Sequence, residues 1–214
     1  MAGSSLFTVS ICGSGGHGSS PWLSNDPIKP ACEMLLRLAS LSSSRYSAFD
    51  SVVINPCSIS AGTAGNIIPD IAEIKGNIRY FEPSHLEMII HNMMTVISGI
   101  SDSYGVTAEL KLSDYRTPPM IASVDAFERI SKTVSRTDCQ FREMAQPWMA
   151  SDNFSMYLAK YGGIYLFGGV AKAGEIPYPL HTPKFNPDEA ALKGFCAVFL
   201  AYIDDFLSEL TEVI

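Results

Sequence analysis

Hydrophobic and polar positions repeat with two alternating periods along the first half of the chain. From Leu6 to Cys12, Phe7, Val9 and Ile11 fall on one side and Leu6, Thr8 and Ser10 on the other, which is the period of a strand. The following run, Gly13-Ser-Gly-Gly-His-Gly-Ser-Ser-Pro21, has the composition of a loop. Asp26-Pro27 then opens a helix, with Asp26 as its cap and Pro27 in its first turn. Ile28, Cys32, Leu35, Leu36 and Ala39 give that helix an apolar stripe, and Ser42-Ser43-Ser44 end it. Val52 to Ser60 reads as a second strand, and a glycine-rich turn from Ala61 to Asn66 leads to a third, Ile71 to Phe81. Glu73, Lys75, Asn77 and Arg79 all lie on one face of the third strand, so that face is wet or borders a site. A second helix starts after Glu82-Pro83, buries Leu86, Ile89, Ile90, Met93, Ile97 and Ile100, and stops at Gly105. Val106 to Leu112 is a fourth strand. The order β-α-β-β-α-β predicts a ferredoxin-like α+β sandwich with both helices on one sheet face.

After the linker Arg116-Thr-Pro-Pro119 the pattern changes. It predicts a helix from Val124 to Ser135, a short strand near Cys139 to Ala145, and a helix from Asp152 to Tyr161. A buried strand, Ile164 to Phe167, a glycine-rich loop and a last helix from about Pro187 follow. Ala191, Phe195, Val198, Phe199, Tyr202, Ile203 and Phe206 form a broad apolar face on that last helix. This alternation belongs to an α/β layer, yet two short strands are too few to close a sheet of their own. The chain therefore divides into residues 5–115, a complete small domain, and 116–214, part of a second one.

Composition narrows the chemistry. Fifteen Lys+Arg against 22 Asp+Glu give a net charge of -7 and no basic footprint for nucleic acid. No apolar run reaches the roughly 20 residues of a membrane span. No basic and apolar leader opens the sequence, which makes the cytoplasm the default location. The five cysteines are scattered singly and read as reduced, buried thiols. At 17% charged residues, the chain is poor in charge for its length, so some apolar surface needs a partner. Gly13-Ser-Gly-Gly-His-Gly18 fits G-x-G-x-x-G formally, but the helix signal comes only at Asp26, too late to hold a pyrophosphate. No Lys-Ser/Thr follows the glycines, which excludes a P-loop, and no G-x-S-x-G elbow supplies a serine nucleophile.

Several segments in order carry a more specific signal: Gly15-Gly-His-Gly-Ser-Ser-Pro21, Asp26-Pro27, Ala61-Gly-Thr-Ala-Gly-Asn-Ile-Ile-Pro69, Gly76-Asn-Ile-Arg-Tyr-Phe81 and Tyr178-Pro-Leu-His-Thr-Pro-Lys-Phe185. Together they resemble the M20 metallopeptidase family, in its amidohydrolase branch of N-acyl-amino-acid, hippurate and indole-acetyl-amino-acid hydrolases. The resemblance implies a two-domain enzyme. Its α/β catalytic domain holds two divalent metals, and a ferredoxin-like lid inserted in that domain mediates dimerisation. Residues 5–115 then correspond to the lid and 116–214 to the closing segment of the catalytic domain.

By the same resemblance, His181 is the C-terminal metal ligand, for zinc, manganese, nickel or cobalt. His17 is the lid histidine that reaches the active site of the partner subunit and stabilises the oxyanion. Asn66 and Arg79 bind the substrate carboxylate, a task that suits the planar fork of arginine. Gly168 lines the acyl pocket. Asp152-Asn153-Phe154 stands where the family often has Glu-Asp-Phe, so the second acid is lost and a helix cap is the stronger reading of Asp152. His85 and His91, on the long helix, are structural or exposed.

The family's other ligands, a His-x-Cys-Gly-His-Asp motif and a Glu-Glu pair, precede the lid and do not occur in this chain. One histidine cannot hold a catalytic metal, which takes about three protein ligands. Two functions follow. In one, the chain is part of a metal-dependent amidohydrolase that cleaves the amide of an N-acyl amino acid with metal-activated water, as a homodimer, and is inactive alone. In the other, it is a non-catalytic dimerising or carboxylate-binding relative of such enzymes.

Overall fold

Strand β1 (Gly3–Cys12) buries Phe7, Val9 and Ile11 and turns Leu6, Thr8 and Ser10 to the opposite face, as its alternation predicts. The structure, a computed structural model, describes residues 1–47 and 49–212; Ala48 of the first predicted domain and Val213 and Ile214 of the second lie outside the described residues. The chain forms two units, Met1–Met120 with Pro147–Ala159, and Ile121–Gln146 with Lys160–Ile214.

In the first unit, β1 is followed by a two-residue strand β2 (Gly16–His17) and helix α1 (Ile28–Ser44). Strand β3 (Val53–Ala61), the short β4 (Ile67–Ile68), β5 (Ile71–Tyr80), helix α2 (His85–Tyr104) and β6 (Thr107–Leu112) complete the series. The main sheet has the order β3-β5-β1-β6, and every neighbouring pair is antiparallel. That is the ferredoxin-like arrangement. Its core joins Phe7, Val9 and Ile11 to Met34 and Leu38 of α1, Ile74 and Ile78 of β5, and Ile89, Met93 and Ile97 of α2. Burying an aliphatic side chain of this size stabilises by roughly 1.5–3 kcal/mol, so this one layer carries most of the unit's hydrophobic free energy. Glu73, Lys75, Asn77 and Arg79 line the uncovered face.

Local signals set the helix ends. The Asp26 carboxylate accepts the Ile28 N–H at 2.9 Å, so Asp26 caps α1 from just outside it. Gly105 ends α2 in the left-handed region with φ 67°, and its N–H returns to the Ser101 carbonyl. Pro56 and the bulge between Pro56 and Ser58 fall on β3, an edge strand, where a missing ladder donor is tolerated.

The buried stripe of α1 differs from the predicted one. Ala31, Met34, Leu38 and Leu41 face the core, while Cys32, Leu36 and Ala39 are exposed, Leu36 at 68%. Apolar residues occupy both sides of this helix, so periodicity alone cannot choose between two faces about 100° apart. The cysteines are also not buried: Cys12, Cys32, Cys57 and Cys196 are exposed and Cys139 is half-buried, all as free thiols.

The second unit is built on helices α3 (Val124–Val134) and α5 (Ala191–Glu212); between them in sequence lies α4 (Phe154–Tyr161), most of which belongs to the first unit. Where α3 meets α5, the Asp205 carboxylate accepts from Thr133 Oγ1 and pairs with the Arg136 guanidinium. These two partners, the Thr133 hydroxyl first, hold the Asp205 carboxyl below its ordinary value. Ser123, ahead of α3, exchanges hydrogen bonds with Gly163, and the Asp188 carboxylate accepts the Ala190 N–H at the entrance to α5. The strands predicted at Cys139–Ala145 and Ile164–Phe167 do not form. Neither run has a strand beside it among the described residues, and a β-strand exists only through its ladder. No helix of the described residues is long and apolar enough to cross a membrane.

Candidate active site

The glycine loop continues the β1–β5 ladder instead of leaving it. Gly13 N–H donates to the Asp70 carbonyl and Gly15 N–H to the Asp70 carboxylate, each at 2.8 Å. Then β2 pairs with β4, Gly16 opposite Ile68 and His17 opposite Ile67, and Gly18 N–H donates to the Asn66 carbonyl at 2.8 Å. The loop that carries His17 is thereby zipped to the turn that carries Asn66. Close backbone approach explains the glycines. A Cβ on Gly13 would sit 2.0 Å from the Asn25 carbonyl oxygen, and one on Gly15 would sit 2.6 Å from that of Ile68. No phosphate is needed to account for them.

His17 is exposed on this platform. Its Nδ1 receives the Ser19 N–H at 3.2 Å and lies 2.8 Å from Ser19 Oγ, whereas its Nε2 makes no hydrogen bond to the described residues. Asn66 is exposed beside it. Asp70, which ties the two loops together, is not marked by the sequence motifs; its only signal there is an acid directly after Ile67-Ile-Pro69.

Arg79 lies at the other end of the same strand. Its register partners are Ser4 on β1 and Val53 on β3, while the His17 loop joins beyond Ile71 and Cys12. Eight residue steps along the strand lead from Ile71 to Arg79, about 27 Å at 3.4 Å per step. An N-acyl amino acid, two residue lengths, spans only about 7 Å. The structure thus brings Asn66 to His17 and keeps Arg79 away from both. Arg79 Nη1 is itself buried with no hydrogen-bond partner among the described residues. A buried, unpaired guanidinium nitrogen is costly, and an incoming carboxylate would relieve it.

In the second unit, His181 follows Tyr178-Pro-Leu180 with φ 65°, the one non-glycine residue of the described chain with positive φ. Such conformations cost free energy and gather at functional sites. Thr182 Oγ1 donates to the Pro179 carbonyl at 3.0 Å, and Phe185 N–H to the Thr182 carbonyl at 3.1 Å, which stiffens the turn around the imidazole. Beside this turn a cavity of about 340 Å³ is bordered by Lys172, Tyr178, Lys184 and Phe185. Gly168 packs against α5, where a Cβ would lie 2.1 Å from the Phe195 ring, so packing alone accounts for that glycine.

Asp152 accepts the Phe154 N–H at 2.8 Å and caps α4. His85 stacks edge-on against Tyr46 at 6.2 Å, and His91 is exposed. Among the described residues no three His, Cys, Asp or Glu side chains gather to hold a metal ion. The described donors therefore do not make up a metal centre, and His181 is a single candidate ligand among them.

The profile of the peptidase dimerisation domain of the M20 family matches residues 2–104. Thermostable carboxypeptidase 2 of Saccharolobus solfataricus is 31% identical over 195 residues, 90% of this chain and 49% of the relative. The N-acetylcysteine deacetylase of Bacillus subtilis is 31% identical over 193 residues, again 90% and 49%. Among solved structures, the Bacillus subtilis YXEP protein, a dinuclear metal-binding peptidase from the M20 family, superposes with a TM-score of 0.73 at 26% identity, over 95% of this chain and 50% of that one. The chain spans about half the length of the curated relatives it matches.

Proposed function

The chain carries the dimerisation domain of the M20 peptidases and has M20 relatives over nine-tenths of its length, and on that premise we propose that it supplies the lid and the closing segment of a metal-dependent amidohydrolase. The substrate is an N-acyl amino acid, and the bond cleaved is its amide. Names of relatives support this reading, since they include carboxypeptidases and deacetylases of N-acylated amino acids.

One observation carries the assignment of roles: the separation of the His17–Asn66 platform from Arg79 by about 27 Å of strand. Two groups that far apart cannot hold one small substrate within a single lid. They can do so across a two-fold dimer, in which each site takes Arg79 from one chain and the partner subunit's His17. Arg79 then binds the carboxylate with a bidentate pair. The imidazole donates to the carbonyl oxygen as negative charge develops there, and Asn66 offers its amide to the same substrate. His181 contributes one ligand to a divalent ion, zinc, manganese, nickel or cobalt, which supplies the activated water in the whole enzyme. The remaining ligands are not among the residues of this chain, so no step of the reaction is assigned to the chain alone.

The test has two arms. The 214-residue chain, purified and supplied with Zn²⁺ or Mn²⁺, releases no amino acid from N-acetyl or N-benzoyl amino acids. Joined behind the preceding half of a deacetylase relative, it gives metal-dependent turnover that His181→Ala abolishes. Turnover by the 214-residue chain alone that is lost in His181→Ala contradicts the proposal, as does a folded, metal-loaded fusion without activity.

A further inference from the structure

The hydrogen bonds around His17 distinguish its two ring nitrogens. Ser19 N–H lies 3.2 Å from Nδ1 with donor geometry, and a backbone amide can only donate. A proton on Nδ1 would place two N–H groups head to head. Nδ1 must therefore present its lone pair, and the neutral ring carries its proton on Nε2. Ser19 Oγ, 2.8 Å from the same nitrogen, supplies a second donor to it and holds the ring plane. Nε2–H is left without a partner among the described residues. It is the group that an oxyanion would need.

We infer that Ser19 is a positioning residue for His17: its backbone amide and hydroxyl, both directed at Nδ1, lock the imidazole in the Nε2–H tautomer and aim that N–H away from the chain's own loop. The inference rests on the reading of His17 as the oxyanion donor, but the tautomer itself is measurable without any reaction. An exposed imidazole on a glycine-rich loop would otherwise exchange tautomers and rotamers. Preorganising one donor removes that disorder before substrate arrives. The device uses residues two apart in sequence, so it travels with the loop wherever the lid moves.

The experiment is nitrogen NMR on the full 214-residue chain, with His17 assigned by comparison with His17→Gln. Nδ1 is expected at the shift of an unprotonated ring nitrogen and Nε2 at that of a protonated one. A scalar coupling across the hydrogen bond is expected between Ser19 amide nitrogen and Nδ1. In Ser19→Pro, which lacks both donors, the coupling is lost and the His17 shifts move toward the mixed tautomers of a free imidazole; Ser19→Ala, which keeps the amide, retains the coupling. Protonated Nδ1 in the parent chain, or shifts unchanged in Ser19→Pro, overturns the inference, and the first of these needs no variant to fold. In the joined enzyme, Ser19→Pro lowers kcat on the order of tenfold with KM near the parent value. If His17→Ala leaves kcat intact while the tautomer is as stated, the reading of His17 fails and the positioning role fails with it. If His17→Ala abolishes turnover while the tautomer is mixed, only the role of Ser19 is lost.

Discussion

Gly76 faces Phe7 across the β1–β5 ladder, and the pairing shows how one residue can be required without any special backbone angle. A Cβ there would lie 2.4 Å from both the Phe7 ring and the Asn55 carbonyl oxygen. Phe7 is buried in the core and cannot swing away, so Gly76→Ala should destabilise by about 1–3 kcal/mol, read as a lower urea midpoint at unchanged m. An unchanged midpoint would show that the ring has room to move. His181 poses the opposite case. Its left-handed conformation costs a non-glycine residue about 1–2 kcal/mol, so His181→Gly should leave the chain as stable as before or slightly more so. A clear fall in thermal midpoint would mean that the imidazole is stabilising the fold. At this scale the sequence was informative about identity and blind to surroundings. His17 and Asn66 stood out in their motifs, but the Asp70 carboxylate that bridges their loops did not, because a bond over 55 residues leaves no local trace.

At the scale of elements, periodicity was reliable wherever one face was clearly apolar. Strands β1 and β5 bury the faces their patterns name, α2 buries Ile89, Met93, Ile97 and Ile100 of its stripe but leaves Leu86 and Ile90 half-buried, and Gly105 stops α2 as a left-handed cap should. Helix α1 misled because Leu35, Leu36 and Ile28 compete with Met34, Leu38 and Leu41 for the inward side. The runs near Cys139 and Ile164 have strand composition but no neighbouring strand, and composition cannot supply one. The pairing of α3 with α5 carries a pH signature. Asp205 has a folded-state pKa below the 3.8 of an ordinary aspartate, owing to Thr133 and then Arg136. Its contribution is therefore fully present above the unfolded value and disappears as the pH falls through the lower, folded one. Carboxyl NMR should show Asp205 titrating below the ordinary aspartate value of 3.8, and Thr133→Val should move it upward. An Asp205 that titrates at the ordinary value would remove this link between the helices.

At the scale of the whole molecule, many large apolar side chains stay exposed. Leu192, Phe199, Leu200, Ile203 and Phe206 of α5 are all largely exposed, Phe199 at 64%, and no described side chain of that helix is fully buried. A face of this kind needs a cover, in keeping with the low charge fraction of the sequence. The purified chain should therefore sediment as a dimer or larger species at micromolar concentration; a clean monomer would contradict the account of this surface. The sequence motifs already send His17 to the partner subunit's site by resemblance, but they do not separate Asn66 from Arg79. Motifs place Asn66 and Arg79 in one functional list, and only the strand register shows that they stand at opposite ends of a sheet.

That separation is the central claim, and subunit mixing tests it directly. In the joined enzyme, His17→Ala and Arg79→Ala are each prepared, each loses activity by about 10²-fold or more, and the two are then denatured together and refolded as mixed dimers. If each site draws Arg79 from one chain and His17 from the other, a mixed dimer contains one intact site, and random pairing restores about a quarter of the parent activity. A mixture no more active than its two components would place His17 and Arg79 in the same subunit's site and contradict the account.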